Sequence, residues 1–191
     1  MEISEYEKNY LFSLARKAIV QYFLTEDKYY HPVNVPEKLN KKMGVFVTLK
    51  TNGELRGCIG YPLPEKSIAQ AVADNAINAA FHDFRFPPLK KEEVNNLEIE
   101  ITILTVPEQI NYNTPDELLK KIEIGRDGLI IEYGMYGGLL LPQVPVEEKW
   151  DKKTYLGYLC RKAGLPQNIW TKMPVTIKAF QGIVLDEKRK G

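Results

Sequence analysis

The chain is poor in the residues that usually announce a chemistry. Its 191 residues include two cysteines, Cys58 and Cys160, and two histidines, His31 and His82. Two thiols are too few for the disulfide scaffold of a small secreted domain, and they imply reduced cysteines in a cytoplasmic protein. No histidine pair stands at helical spacing and no two cysteines are close, so no metal site is read from the sequence. A convergence of Cys58, His82 and a glutamate would be an unusual ligand set. An excess of one charge is missing too, since 26 Lys and Arg stand against 25 Asp and Glu. Such a balance gives no global field for nucleic acid or membrane, while a local basic groove stays open. There is no long apolar run. The N-terminal stretch ISEYEKNYLFSLARKAIVQYFL carries Glu5, Glu7, Lys8, Arg16 and Lys17, which neither a signal core nor a bilayer span tolerates. GMYGG has no Gly-Lys-Ser/Thr or dinucleotide signature beside it and is not a phosphate loop. No Ser/Gly-rich linker divides the chain.

What is present reads as alternating helices and strands. Tyr6, Tyr10, Leu14, Ala18 and Tyr22 recur every four residues and predict an amphipathic helix. The Pro-containing stretch 25–44 predicts a loop. Asn52-Gly53 then sits between two β-rich runs, the signature of a two-residue type I′ hairpin. That turn implies a register in which Thr51 faces Glu54, Leu49 faces Arg56, Val47 faces Cys58 and Val45 faces Gly60. Cys58 and Arg56 then share a face, and apolar residues on both faces place the hairpin centrally in its sheet. SIAQAVADNAINAAFHD predicts a helix capped by Ser67. Its packing stripe is Ile68, Val72, Ala76 and Ala79/Ala80, and its polar edge is Asp74, Asn78 and His82. Leu97, Ile99, Ile101 and Ile103 alternate with polar residues as a half-buried strand.

The pattern then recurs. A helix is capped by Thr114, with Pro115 at its first position. A turn at Asp127-Gly128 leads to LIIEY, GMYGG and LLLPQV. A further helix runs from Asp151 to a stop at Gly164 and Pro166, followed by the strand PVTIKAFQGIVL. Each half reads helix, two or three strands, helix, strand. The expectation is therefore an α+β protein of two interpacked lobes, each an antiparallel sheet with flanking helices, related by topological duplication. One domain spans residues 5–186, with lobes near 1–110 and 111–186 and a basic tail at 187–191. A cleft between lobes is the default place for a site.

Few side chains suit chemistry. Gly57 and Gly60 around Cys58 predict close backbone approach, or a kink that leaves the sulfur facing a pocket. Arg56 supplies the positive neighbour that a reactive thiol needs. His82, followed by Asp83 and Arg85, would give a base and its orienter. The plainer readings are that unpaired cysteines are common small hydrophobes and that a helix-end histidine serves the dipole. Glu98 and Glu100 share a strand face, suited to acid–base work or simply to solvation. Gln143, at a strand end beside Pro142, presents an amide to a ligand.

GVFVTLKTNGELRGCIGYP, NAINAAFHDFRFPPL, LEIEITIL, IEIGRDGLIIE, LLLPQV and LCRKAGLP occur in that order. In this the chain resembles the AMMECR domain family, named for a human chromosomal region linked to Alport syndrome and elliptocytosis. The resemblance covers about residues 5 to 186, and LRGCIG is the family hallmark. It implies a two-lobed α+β fold with a cleft. It also implies that Leu55 to Gly60, then His82, Asp83, Arg85, Phe86 and Pro87, then Gln143 carry the family's motifs. No settled activity and no cofactor come with it. In many prokaryotes such proteins are associated with a Memo-like protein and a radical SAM protein, which implies a shared pathway or complex, and nucleic-acid-related regulation has been put forward. Two function classes follow. One is a cysteine-dependent enzyme or binding protein. There Cys58, His82 and Arg56 are catalytic, and Gly57, Asp83, Arg85, Gln143 and Glu100 contact a small or modified substrate. The other is a non-catalytic interaction module in which the glycines are backbone requirements and Cys58 is core packing. Nucleic-acid binding is a third, and predicts salt-dependent affinity.

Overall fold

The computed structural model describes residues 1–187, so the expected basic tail lies, apart from Glu187, outside the described residues. The chain divides into two units, residues 1–104 with those from 183 onward, and residues 105–182.

In the first unit, α1 (Glu5–Thr25) starts at a capping box in which Ser4 and Glu7 satisfy each other's backbone N–H groups. It buries Leu11, Leu14, Ala15, Ala18 and Ile19. The expected stripe is corrected at its start, because Tyr6 is 70% exposed. A strict step of four drifts about 40° around the helix each time, so the true core row mixes steps of three and four. β1 (Gly44–Thr51) and β2 (Glu54–Tyr61) form the hairpin, with Asn52 and Gly53 both at positive φ. After α2 (Ile68–Phe81), capped by Ser67, comes β3 (Leu97–Leu104). The strand order here is β2-β1-β3-β7, where β7 is Thr176–Asp186. The hairpin is thus not central: β1 is inside, but β2 is an edge. Val45, Val47, Leu49, Ile99, Ile101 and Ile103 turn to one face and form a core with α1 and α2. Burial on α2 runs nearly all the way round, which corrects the expected polar edge. Asp74 is buried and accepts from Lys66 Nζ (2.6 Å) and Gln70 Nε2 (2.8 Å).

The second unit holds β4 (Glu108–Gln109), α3 (Pro115–Lys121), β5 (Asp127–Tyr133), β6 (Tyr136–Leu140), α4 (Val144–Glu147), α5 (Lys152–Lys162) and most of β7 (Thr176–Asp186). Its order is β7-β5-β6, with β4 on β7. Asp127-Gly128 is no turn but the start of β5. The Asp127 carboxylate accepts from Arg126 and from the Glu123 N–H (2.8 Å). Gly128 lies against the Phe180 ring, where a Cβ has no room. The chain reverses instead at Gly134-Met135, with Gly134 at φ 59°. Buried Tyr155 on α5 donates to the carbonyls of Asp127 (3.0 Å) and Leu140 (3.3 Å), and burial pushes its pKa up.

Both units follow one plan. α1-β1-β2-α2-β3 gives the order β2-β1-β3, and α3-β5-β6-α5-β7 gives β6-β5-β7. Where the chain re-enters the first unit, Arg16 holds it. Its Nε and Nη2 donate to the Glu187 carboxylate (3.0 and 2.6 Å), and Nη1 and Nη2 to the carbonyls of Val94 and Leu97. Among the described residues no helix is long and apolar enough to cross a membrane.

Candidate functional site

The hallmark hairpin departs from the expected register. Thr51 faces Glu54 and Lys50 faces Leu55, but Leu49 then pairs with Gly57 and leaves Arg56 as the extra residue of a bulge. Beyond it Thr48 faces Cys58, Val47 faces Ile59 and Phe46 faces Gly60. The expected pairings of Leu49 with Arg56, Val47 with Cys58 and Val45 with Gly60 are therefore off by one. The reason lies in α2. A Cβ on Gly57 would run into the Ala79 carbonyl, so glycine lets the last turn of α2 lie directly on β2. The bulge brings Gly57 round to that face and turns the half-buried Cys58 to the other.

The bulge also re-aims the backbone. Every second residue of an antiparallel edge strand points its N–H and C=O away from its neighbour. Cys58 is now such a residue. Its N–H donates to Asp83 Oδ2 (2.9 Å), and its carbonyl accepts from Arg85 Nη2 (3.1 Å). Arg85 grips Asp83 through both carboxylate oxygens (2.9 and 2.7 Å). That grip holds the buried Asp83 carboxyl down to about 2, with the Cys58 and Arg85 N–H groups helping and desolvation opposing. Arg85 in turn is held above its ordinary value, first by Asp83 and also by the nearby Cys58 side chain. The pair stands where a further strand would pair and so closes the edge of β2 at this point.

Arg56 is aimed elsewhere. It donates to both Glu93 oxygens (2.7 and 3.1 Å) and to the carbonyls of Pro87 (2.9 Å) and Pro88 (3.4 Å). It thereby pins the segment that follows α2. His82 is the exposed C-cap of α2, its ring edge-on to Tyr22 with centroids 5.8 Å apart. Desolvation, then Lys28, lowers its pKa. Asp83 gives its oxygens to Cys58 and Arg85, and among the described residues no hydrogen bond joins it to His82. Gln143 does not end a strand. It is the exposed N-cap residue of α4 in the second unit, and its carbonyl accepts from Val146 and Glu147.

On the outer face of the first sheet the Thr48 hydroxyl donates to Cys58 Sγ (3.3 Å). Thr48 pairs on its other side with Glu100, whose carboxylate accepts from Lys50 Nζ (2.7 Å). A hollow of about 140 Å³ adjoins it, lined by Lys50, Glu98, Glu100, Asp186 and Glu187. A thiol, a hydroxyl and a carboxylate–ammonium pair thus run in one row across β2, β1 and β3. Larger open hollows lie away from this row, among them one of about 970 Å³ around Arg16 and one of about 740 Å³ around Trp170. Among the described residues no three His, Cys, Asp or Glu side chains gather as a metal site. The sequence reading missed Phe84, which is 95% exposed between Asp83 and Arg85. A bulky apolar residue inside an otherwise polar run, HDFR, was the signal for it.

Known proteins with similar sequences span nearly the whole chain. The AMMECR1 family model matches residues 12–185. Protein NEQ441 of Nanoarchaeum equitans is 48% identical over 178 residues, 93% of this chain and 98% of its own. Protein MJ0810 of Methanocaldococcus jannaschii is 53% identical over 154 residues, 80% of this chain and 77% of its own. The crystal structure of the uncharacterised protein PH0010 from Pyrococcus horikoshii matches with a TM-score of 0.79 at 43% identity. That match covers 96% of this chain and 93% of that one.

Proposed function

From the premise that the chain belongs to the AMMECR1 family, we propose that the outer face of the first sheet binds a small anionic substrate, with Cys58 as contacting nucleophile and Arg85 as cation. One observation carries this reading, the protein's own repeat. Gly138, Leu139 and Leu140 pair with Ile131, Ile130 and Leu129 as Gly57, Cys58 and Ile59 pair with Leu49, Thr48 and Val47. Leucine thus stands where the first unit has its thiol, so packing does not require a cysteine there. The change extends along the row, since Ile130 replaces Thr48 and Lys178 replaces Glu100. Polar, reactive groups fill positions that the plan itself fills otherwise.

In this reading Arg85 takes the part that the sequence gave to Arg56, because the Arg56 guanidinium is closed by Glu93 and two prolyl carbonyls. Arg56 and Gly57 shape the site, Asp83 orients Arg85, and Glu100 offers an acceptor. His82 and Gln143 have no part in it. Unpaired thiols at positions 58 and 160 suit a cytoplasmic setting.

Two alkylating probes test the proposal, neutral iodoacetamide and anionic iodoacetate. Cys58 reacts with both at neutral pH, while the fully buried Cys160 serves as internal control. Arg85→Ala slows the iodoacetate reaction several-fold more than the iodoacetamide reaction. A Cys58 that resists both reagents, or an Arg85→Ala effect equal for the two, sinks the reading.

A second reading has its own observation. Phe84 projects almost fully from a segment anchored on both sides by Asp83, Arg85 and Arg56. Exposed aromatics held in place are typical interface anchors. Under this reading the chain docks a Memo-like or radical SAM protein, and Phe84→Ala weakens that complex by roughly thirtyfold, the scale of a hot spot. Calorimetry with the purified partner decides it, since an unchanged affinity rules Phe84 out.

A further inference from the structure

β6 is the outer strand of the second unit. Its turn closes on the pair Tyr133–Tyr136. By the alternation of an antiparallel ladder, Gly138 and Leu140 bond to β5, while Gly137 and Leu139 point N–H and C=O away from it. The same count in the first unit reaches Cys58, whose backbone groups do point outward, to Asp83 and Arg85. For Gly137 and Leu139 no such bond exists among the described residues. From Tyr133 to Leu141 the sequence YGMYGGLLL holds no charge and no proline, the usual means of blunting an open edge. At the turn, Met135 and Tyr136 are 102% and 56% exposed.

We propose that β6 pairs antiparallel with β6 of a second copy, about a twofold axis through Gly138. Centring on Gly138 sets Gly137 of each copy opposite Leu139 of the other, and each such pair exchanges both outward backbone hydrogen bonds. Gly138 faces α5, where a Cβ would come within 2.8 Å of the Ala163 nitrogen. The neighbouring Leu139 therefore lies on the opposite face, and across the axis it meets a glycine that presents no side chain. Charge selects the occupant. An uncharged strand meets its own copy without like-charge repulsion, and it offers nothing by which a charged foreign strand is recognised. The shared edge is short, so the dimer is a weak one.

Sedimentation velocity on the full chain, from roughly 1 µM to 1 mM, reads the association directly. The wild type shifts from monomer to dimer mass within that range. Leu139→Lys sets a charge on each side of the axis, and Gly137→Pro removes an outward donor without touching the bonds to β5. Each weakens dimerisation at least tenfold, with unchanged circular dichroism and melting. Amide exchange supplies a readout without mutation: at Gly137 and Leu139 of the wild type it slows as concentration rises. A wild type that stays monomeric throughout overturns the proposal, as does a dimer whose exchange at Gly137 and Leu139 does not change. A chain that is monomeric alone but protected at β6 by an added peptide also overturns it, and assigns the edge to a foreign strand.

Discussion

Set side by side, the β1–β2 and β5–β6 hairpins match residue for residue from Val47/Ile59 and Leu129/Leu140 up to the glycines that lie under a helix end, Gly57 at Ala79 and Gly138 at Ala163. They part at Arg56. The first hairpin has this one additional residue between its glycine and its turn, and the second has none. The second unit shows that strand, glycine and helix fit together without a bulge. What the added residue brings is a guanidinium clamped on the Pro87–Pro88 segment. That segment follows the Asp83–Arg85 pair that closes the β2 edge. The difference separates what the shared plan requires from what the first unit carries in addition.

Four substitutions break or sharpen the contrast. The largest effect is expected at the glycines. Gly57→Ala drives a methyl into a helix carbonyl and costs about 3 kcal/mol, whereas Gly138→Ala meets the looser end of α5 and costs about 1 kcal/mol. Urea denaturation measures both, and equal costs would mean that the bulge does not tighten the first contact. Asp83→Asn comes next, at about 2 kcal/mol, because it uncaps Cys58 and leaves Arg85 without its partner. The sign of its pH dependence follows from the depressed folded pKa. Stability from Asp83 is fully present above the ordinary aspartate range and is lost as pH falls through about 2. Wild-type melting should therefore drop between pH of about 4 and about 2 by a step that Asp83→Asn lacks. The smallest effect is Cys58→Leu, which imports the residue of the second unit. Its stability should stay within about 1 kcal/mol of wild type, while alkylation by iodoacetate disappears. A loss of several kcal/mol would make Cys58 a packing residue after all.

Much of this architecture was legible in the letters. Asn52-Gly53 named its turn, Ser67, Thr114 and Asp151 named their helix starts, and the repeated element order announced the duplication. These signals are local, set within a few residues by backbone preference and capping. The bulge was not legible, because its cause is a helix end more than twenty positions away that tolerates no Cβ at Gly57. Asp127-Gly128 misled for a similar reason. Its carboxylate and its missing side chain answer to Arg126 and Phe180 and not to a turn. At the candidate site, the sequence grouped Cys58 with Arg56 and His82 and named Asp83 and Arg85 as substrate contacts, whereas it is Asp83 and Arg85 that bond to the Cys58 backbone. Which arginine stands beside the thiol depended on the register, and a shift of one residue transferred that place from Arg56 to Arg85.

The Arg16–Glu187 clasp has a consequence for how the molecule is made. A ribosome delivers α1 through β3 early, then the whole of residues 105–182, and only afterwards the segment that lies along β3. Until then the nascent first unit waits with a bare strand edge, the kind of surface that chaperones cover and aggregates exploit. Half of this protein is translated first and completed last.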